Sequence, residues 1–257
     1  MVTIPSLASE RDAATAALIG ADPTIATRCD EWTGHEVLAH LVAAMIEMAR
    51  PLEAVAENKT PPPTETDLEV REAPFRAKSY AELESMWPIV CARFQAALDY
   101  FTYTPEMTVT FAGLQWQVPL FAMHARSELA LHRWDVVGDD STSTALLSSP
   151  DLTKHAVETM GTLILGVGRD LSGDPLTIAV STPDQPDVIV NVPGDGTASM
   201  RLSSEDHSEF PRLTCRDGAA RLLYLWGRRS EKADAFVGNE LLGSSERSRL
   251  DDVFAGF

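Results

Sequence analysis

His124, Glu128 and His132 recur at intervals of four residues in the segment PLFAMHARSELALHRWD (119–135). On an α-helix each such step rotates only about 40°, so imidazole, carboxylate and imidazole share one face, with Phe121 and Val136 beside them. Donors repeated along an inward face are costly unless something compensates them, and a bound metal ion is one such compensation. The alternative is an exposed polar stripe, although Arg126 and Arg133 fall on other faces and could supply the solvent side. A second imidazole, His40, shares a helical face with Val37, Leu41, Ala44 and Met48. Alone, a histidine on such a face is more often a hydrogen-bonded core residue than a ligand. Helical bundles, however, build metal sites from facing helices, and His40 with Glu128 and His132 would provide two imidazoles and one carboxylate. That donor set suits catalytic zinc with a fourth position open, and it also suits other first-row divalent metals.

Competing chemistries lack their residues. His35-Glu36 with His40 resembles HExxH, but the extra residue turns the two imidazoles about 140° apart, so they cannot grip one ion. His35 is expected at the solvent-facing first turn of its helix, and His155 and His207, with no partners at suggestive spacing, at the surface. No GxSxG, Walker A or GxGxxG sequence occurs; VPGDG (192–196) and GVGRD (166–170) are too short for phosphate loops. Cys29, Cys91 and Cys215 are odd in number, far apart and without a CxxC, which fits a reduced cytoplasmic protein without disulfides or a zinc knuckle. Cys29, just ahead of the helix bearing His40, reads as a packed small residue before a reactive thiol.

The elements that must position these groups follow from periodicity. Helices are expected over 7–20, over 34–56 behind the capping box Thr33/Glu36 with Pro51 ending or kinking its regular part, over 80–101 behind Ser79, and over 119–137 from Pro119. KTPPPTETD (59–67) must be loop, because consecutive prolines cannot donate backbone hydrogen bonds, and MTVTFAGLQWQV reads as extended. Four helices, each with an apolar side, predict an antiparallel bundle over 1–145. STSTALLSSP (141–150) reads as a domain boundary, and 150–257 as a small α+β sheet domain. There, helix 151–168 precedes strand patterns at 176–180, 187–192, 197–202 and 210–215, with Asp195-Gly196 marking a hairpin and helices over 216–227 and 239–253. The fold class is therefore α+β in two domains.

Composition bounds the partners. The 257 residues are 44% hydrophobic and 23% charged, an ordinary globular mixture. Acids outnumber bases 38 to 21, and a net charge of −17 disfavours phosphate backbones and anionic membranes. No apolar run reaches the ~18 residues of a membrane span, and the N-terminus does not read as a signal peptide. With no heptad seam or edge patch to read, the expectation is a monomer.

The stretches CDEWTGHEVLAHL (29–41) and HARSELALHRWD (124–135) resemble the mycothiol-dependent maleylpyruvate isomerase family, whose N-terminal domain is a DinB-like four-helix metal bundle. RDGAARLLYLWGRR (216–229) is similar to that family's sterol-carrier-like second domain. The resemblance implies zinc ligands at His40, Glu128 and His132, in agreement with the spacing argument. It implies mycothiol as the thiol co-substrate and an electrophilic small molecule as its target. It implies a substrate-binding arginine in the second domain, with Arg221 and Arg228 as candidates beside the equally basic Arg212, Arg216 and Arg229; His124 is a candidate substrate contact or packing residue. The activity implied is cis–trans isomerisation by thiol addition and elimination. A mycothiol S-transferase, or a non-catalytic metal-containing binding or stress protein, is the alternative.

Overall fold

Short polar side chains decide where the helices of the first half begin. In the computed structural model, which describes residues 3–29, 32–161, 165–166, 169–229, 234–238 and 242–254, helix α1 (Ala8–Leu18) is followed by α2 (Gly34–Ala56). The Thr33 backbone N–H and hydroxyl both donate to Glu36 Oε2, at 2.6 and 2.8 Å, which is the reciprocal cap expected from T-x-x-E. α2 does not end at Pro51: Leu52 beyond it is fully buried, and that packing outweighs the missing backbone bond. The strap 59–67 is irregular, as its prolines require. It is tied down where Glu47 Oε1 accepts from the Glu65 N–H (3.1 Å) and Thr64 Oγ accepts from the Ala112 N–H (2.9 Å).

The strap leads into α3 (Leu68–Arg76), an element absent from the sequence reading, which packs on α2 and is capped by Asp67 Oδ1 accepting from Glu69 and Val70. Ser79 then opens α4 (Tyr80–Tyr100) with its own box to Glu82. The extended stretch is a two-stranded hairpin, β1 (Thr108–Phe111) and β2 (Leu114–Gln117), turned by Ala112 and Gly113, both at positive φ (49° and 77°) as a two-residue type I′ turn demands. β2 passes straight into α5 (Val118–Val137) without an intervening loop residue. α1, α2, α4 and α5 form the helical core, filled by Leu38, Leu41, Met45, Trp87, Phe94, Phe121 and Leu129. The expected solvent side of α5 is only partly solvent: Arg133 is buried and Arg126 pairs with the buried Glu10 (2.7 Å).

The chain divides into two units, Met1–Val137 and Gly138–Phe257. The second begins differently from expectation, because the Ser/Thr-rich stretch forms a helix, α6 (Ser141–Leu147), whose first turn is capped by Asp140 Oδ1 accepting from Ser143 N–H at 2.6 Å. α7 (Pro150–His155) continues as a π-helical turn over Ala156–Met160; residues 162–164 and 167–168 of the expected helix lie outside the described residues. β3 (Leu176–Ser181), β4 (Asp187–Val192), β5 (Ser199–Ser203), β6 (Arg212–Cys215) and β7 (Phe236–Gly238) make a sheet in the order β5-β4-β3-β6-β7, with β3 and β6 parallel and the other pairs antiparallel. The Asp195-Gly196 hairpin joins β4 to β5 as predicted. Gly194 (φ +88°) must be glycine, since a Cβ there would lie 1.9 Å from the Gly173 carbonyl oxygen. α8 (Gly218–Leu225) and α9 (Ser244–Val253) complete the unit, and residues 239–241, at the start of the last expected helix, lie outside the described residues. The architecture is α+β, a helical N-terminal unit and a C-terminal sheet unit. Among the described residues no helix is long and apolar enough to cross a membrane.

Three histidines depart from the positions expected of them. His155 and His207 are buried, not surface residues; His207 Nε2 lies 2.8 Å from Ser203 Oγ and its ring stacks on Phe210. His35 is half-buried, with Nε2 donating to the Lys78 carbonyl at 2.8 Å, so the first turn of α2 is tied to the start of α4 instead of facing solvent freely.

Candidate metal centre

The four-residue period of α5 presents His124, Glu128 and His132 on one face, and α2 brings His40 against the middle of that stripe. His40 Nε2 lies 3.0 Å and His132 Nε2 3.5 Å from Glu128 Oε2. Donor atoms of His40, Glu128 and His132 all fall within 4.8 Å of one another, and these are the three residues that the spacing singled out. All three are largely sealed from water, with side-chain exposures of 8, 13 and 7%. His124 stands one turn away, its Nε2 3.8 Å from the other Glu128 oxygen, and its ring meets Trp116 edge-on at 5.5 Å.

The outward nitrogens of the two converging imidazoles are each held by a carboxylate. His40 Nδ1 lies 2.7 Å from Glu72 Oε1, and His132 Nδ1 lies 2.8 Å from Asp135 Oδ2; both carboxylates are fully buried. In a neutral imidazole, a hydrogen kept on Nδ1 by such a carboxylate leaves Nε2 as the lone-pair nitrogen, and in both rings Nε2 is the atom that faces Glu128. Arg71 and Arg76 each donate to Glu72 at 2.9 Å. Trp32 lies over both rings, at 5.9 Å and nearly parallel to His132 and 5.1 Å from His40, and the Arg76 guanidinium sits 5.1 Å from the Trp32 ring. The loop bearing Trp32 is fastened to the end of α5, where the Arg28 N–H donates to the Asp135 carbonyl at 2.8 Å.

Electrostatics follow from this packing. Burial alone would raise the Glu128 carboxyl, but hydrogen bonds from His132 and His40 hold it well below the usual carboxylate range. Burial opposes the charge on His132 as well, yet Asp135 and Glu128 raise its pKa to about 9. Glu72 is pulled down to about 2 against its burial by His40, Arg76 and Arg71. His124 moves the other way, lowered by burial with Glu128 only partly offsetting it. One central carboxylate thus faces three imidazoles, and the chain's own protons supply the positive charge that a divalent cation would replace. The donor set therefore fits a first-row dication: three convergent ligands, restrained outer nitrogens and a hydrophobic surround.

Sequence reading missed Glu72, Asp135, Arg71, Arg76 and Trp32. Asp135 was findable, since it lies three residues after His132 on the same helix; Glu72 was not, because α3 shows no apolar period to announce it. The C-terminal arginines sit elsewhere. Arg221 is fully buried in its own unit, donating to the Pro186 carbonyl (2.7 Å) and Gln185 Oε1 (2.6 Å), and Arg228 is buried with Nη1 donating to the Trp226 carbonyl (3.3 Å). Arg212 pairs with Asp187, Arg216 with Asp217 and Asp234, and Arg229 with Asp251. Cys91 and Cys215 are buried thiols pushed up to about 12 by desolvation, the wrong direction for a nucleophile.

No curated protein sequence matches the chain. In overall fold it is similar to two solved structures: the mycothiol-dependent maleylpyruvate isomerase, at 14% identity, covering 90% of this chain and 94% of that one with a TM-score of 0.59, and a histidine-to-alanine mutant of the mycothiol-dependent maleylpyruvate isomerase, at 13% identity, covering 92% and 95% with a TM-score of 0.62. The family model of the mycothiol maleylpyruvate isomerase N-terminal domain matches residues 5–137, which is more than half of the chain and contains every residue of the site just described. The chain therefore belongs to the mycothiol maleylpyruvate isomerase N-terminal domain family.

Proposed function

We propose that this chain is a metal-dependent enzyme of thiol chemistry, holding a divalent cation, zinc first, between His40, Glu128 and His132. In this reading mycothiol is activated for attack on an electrophilic small molecule, and its addition and elimination isomerise a cis double bond conjugated to a carbonyl. The observation that carries the reading is the convergence of one carboxylate and two buried imidazoles, each imidazole with a carboxylate beside its outer nitrogen. When bound, such a cation lowers the pKa of a coordinating thiol, so that a nucleophile with an ordinary value of about 8.5 is delivered as thiolate at neutral pH.

The chain's own residues supply the rest. Three protein ligands leave a position open for sulfur, and no cysteine of this chain is needed as nucleophile, in keeping with the deeply buried Cys91 and Cys215. Trp32 covers His40 and His132 with apolar surface, and Trp116 does the same for His124, which keeps water scarce around them. His124, beside Glu128 and outside the three-donor set, is proposed as a contact for thiol or electrophile. For an anionic electrophile Arg228 is retained as a proposed contact, whereas the two bonds Arg221 makes inside its own unit support a holding role for that residue. A reducing, cytoplasmic setting belongs to the same proposal.

The experiment is elemental analysis of the purified chain followed by a mycothiol-consumption assay against a panel of electrophiles. About one divalent ion per chain, with cis–trans conversion and no net loss of mycothiol, is the expected result. Net loss of mycothiol into a stable product makes the chain an S-transferase. A chain that takes up no divalent ion, even when zinc is added, is a binding protein, and the enzymatic reading falls.

A further inference from the structure

We propose that Glu72, carried on α3 and clamped by Arg71 and Arg76, is a positioning residue that fixes which nitrogen of His40 is offered to the metal; this rests on the reading of the site given above. The first sign of this role is what α3 buries. Of its nine residues, the one that is fully enclosed is a carboxylate, while Leu68 and Val70 are left 46% and 58% exposed. Phe75 is partly buried against the core, yet the fully enclosed position is given to Glu72, and an isolated carboxylate is among the most expensive groups to remove from water. This one is compensated on both oxygens: Oε1 accepts from Arg71 at 2.9 Å and lies 2.7 Å from His40 Nδ1, and Oε2 accepts from Arg76 at 2.9 Å.

Those contacts have a directional consequence. A neutral imidazole carries one N–H, and an acceptor fixed at Nδ1 keeps that hydrogen there and leaves Nε2, 3.0 Å from Glu128 Oε2, as the ligand atom. The two guanidinium groups hold the Glu72 carboxyl group in place. Arg76 also lies against Trp32, whose ring covers His40 and His132, so one clamp restrains both the orientation of His40 and the cover above it. His132 needs no such device, since Asp135, one turn along α5, performs the same service locally. α2 offers His40 no equivalent: its orientation is imported from a separate helix at the end of the proline-rich strap.

The test compares the full-length parent with E72A and E72Q, measuring zinc affinity by competition with a chromophoric chelator and thermal stability without metal. Loss of a group that orients a ligating histidine weakens metal affinity by about 10–100-fold, and this is the expectation for E72A. E72Q, whose amide oxygen still accepts from His40 Nδ1 but lacks the charge, is expected between parent and E72A, a partial rescue that a merely structural role would not give. A helix-holding role alone would lower metal-free stability and leave zinc affinity of the folded protein unchanged. Parent-like zinc affinity in a folded E72A therefore overturns the proposal; should E72A not fold, parent-like affinity in E72Q overturns it. A parent that binds no zinc overturns the reading of the site and this assignment with it, whereas a zinc-binding parent with an equally tight, folded E72A removes the assignment alone.

Discussion

Arg221 in the C-terminal unit and His132 in the N-terminal unit are both sealed from solvent, yet their polar atoms meet different ends. The two terminal nitrogens of Arg221 donate to a carbonyl and an amide of its own unit while Nε is left without a hydrogen bond among the described residues, and the Tyr224 hydroxyl nearby donates to Asp251 at 2.7 Å. In the helical unit the outer nitrogens of His40 and His132 are closed in the same manner, but their inner nitrogens converge on one carboxylate. Burial of polar groups is therefore not itself a mark of function. What separates the two regions is whether several buried donor atoms are aimed at a common point.

The contrast breaks most visibly at a ligand. Replacing His132 with alanine is expected to take zinc from about one ion per chain to none retained through gel filtration, measured by elemental analysis; full occupancy would remove His132 from the donor set. On the other side, R221M should leave zinc content unchanged and cost the C-terminal unit about 2–4 kcal/mol in urea denaturation, because it strands the Pro186 carbonyl and the Gln185 side chain. If R221M instead keeps its stability and raises KM for an anionic electrophile, Arg221 is a substrate contact and the contrast between the units narrows.

A pH series sharpens the same comparison. The folded, metal-free His132 has its pKa raised from 6.5 to about 9, so its proton stabilises the empty site fully below pH 6.5, and that contribution is lost as pH rises towards 9. Zinc must displace this proton, so its apparent affinity should climb about tenfold per pH unit between pH 7 and 8, read by chelator competition. A flat profile would mean that His132 is already neutral in the empty site. The smallest effect on metal is expected at His124: H124A should bind zinc within about twofold of the parent while losing thiol-transfer rate, since its imidazole stands outside the three-donor set. Zinc loss as severe as that of the His132 variant would place His124 among the ligands.

Much of this was legible in the sequence because the groups lie on long, regular elements. Thr33 and Glu36 announced the start of α2, and the four-residue period of α5 gave the stripe that includes Glu128 and His132. What escaped is what periodicity does not encode. α3 is short and buries a carboxylate where a pattern search looks for leucine. The Ser/Thr-rich segment at 141–150 reads as linker by composition, yet Asp140 caps it and Leu147 is fully buried, which is enough to make a helix. His155 and His207 read as surface residues for want of partners nearby in sequence, and Arg133 as a possible solvent-side residue of α5 from its helical face, but tertiary structure buries all three.

The direct junction of β2 with α5 has one more consequence. With no residue between Gln117 and Val118 to absorb a twist, the hairpin sets the angular phase of the helix that follows, and Phe111, Trp116 and Phe121 lock that phase by packing their rings at steep angles within 5.0–5.5 Å. Each residue of an α-helix advances about 100° around its axis. A single-codon insertion at that seam would thus leave every side chain intact and still swing His124, Glu128 and His132 a quarter-turn away from His40, so reading-frame length at this joint is under as tight a constraint as the identity of any ligand.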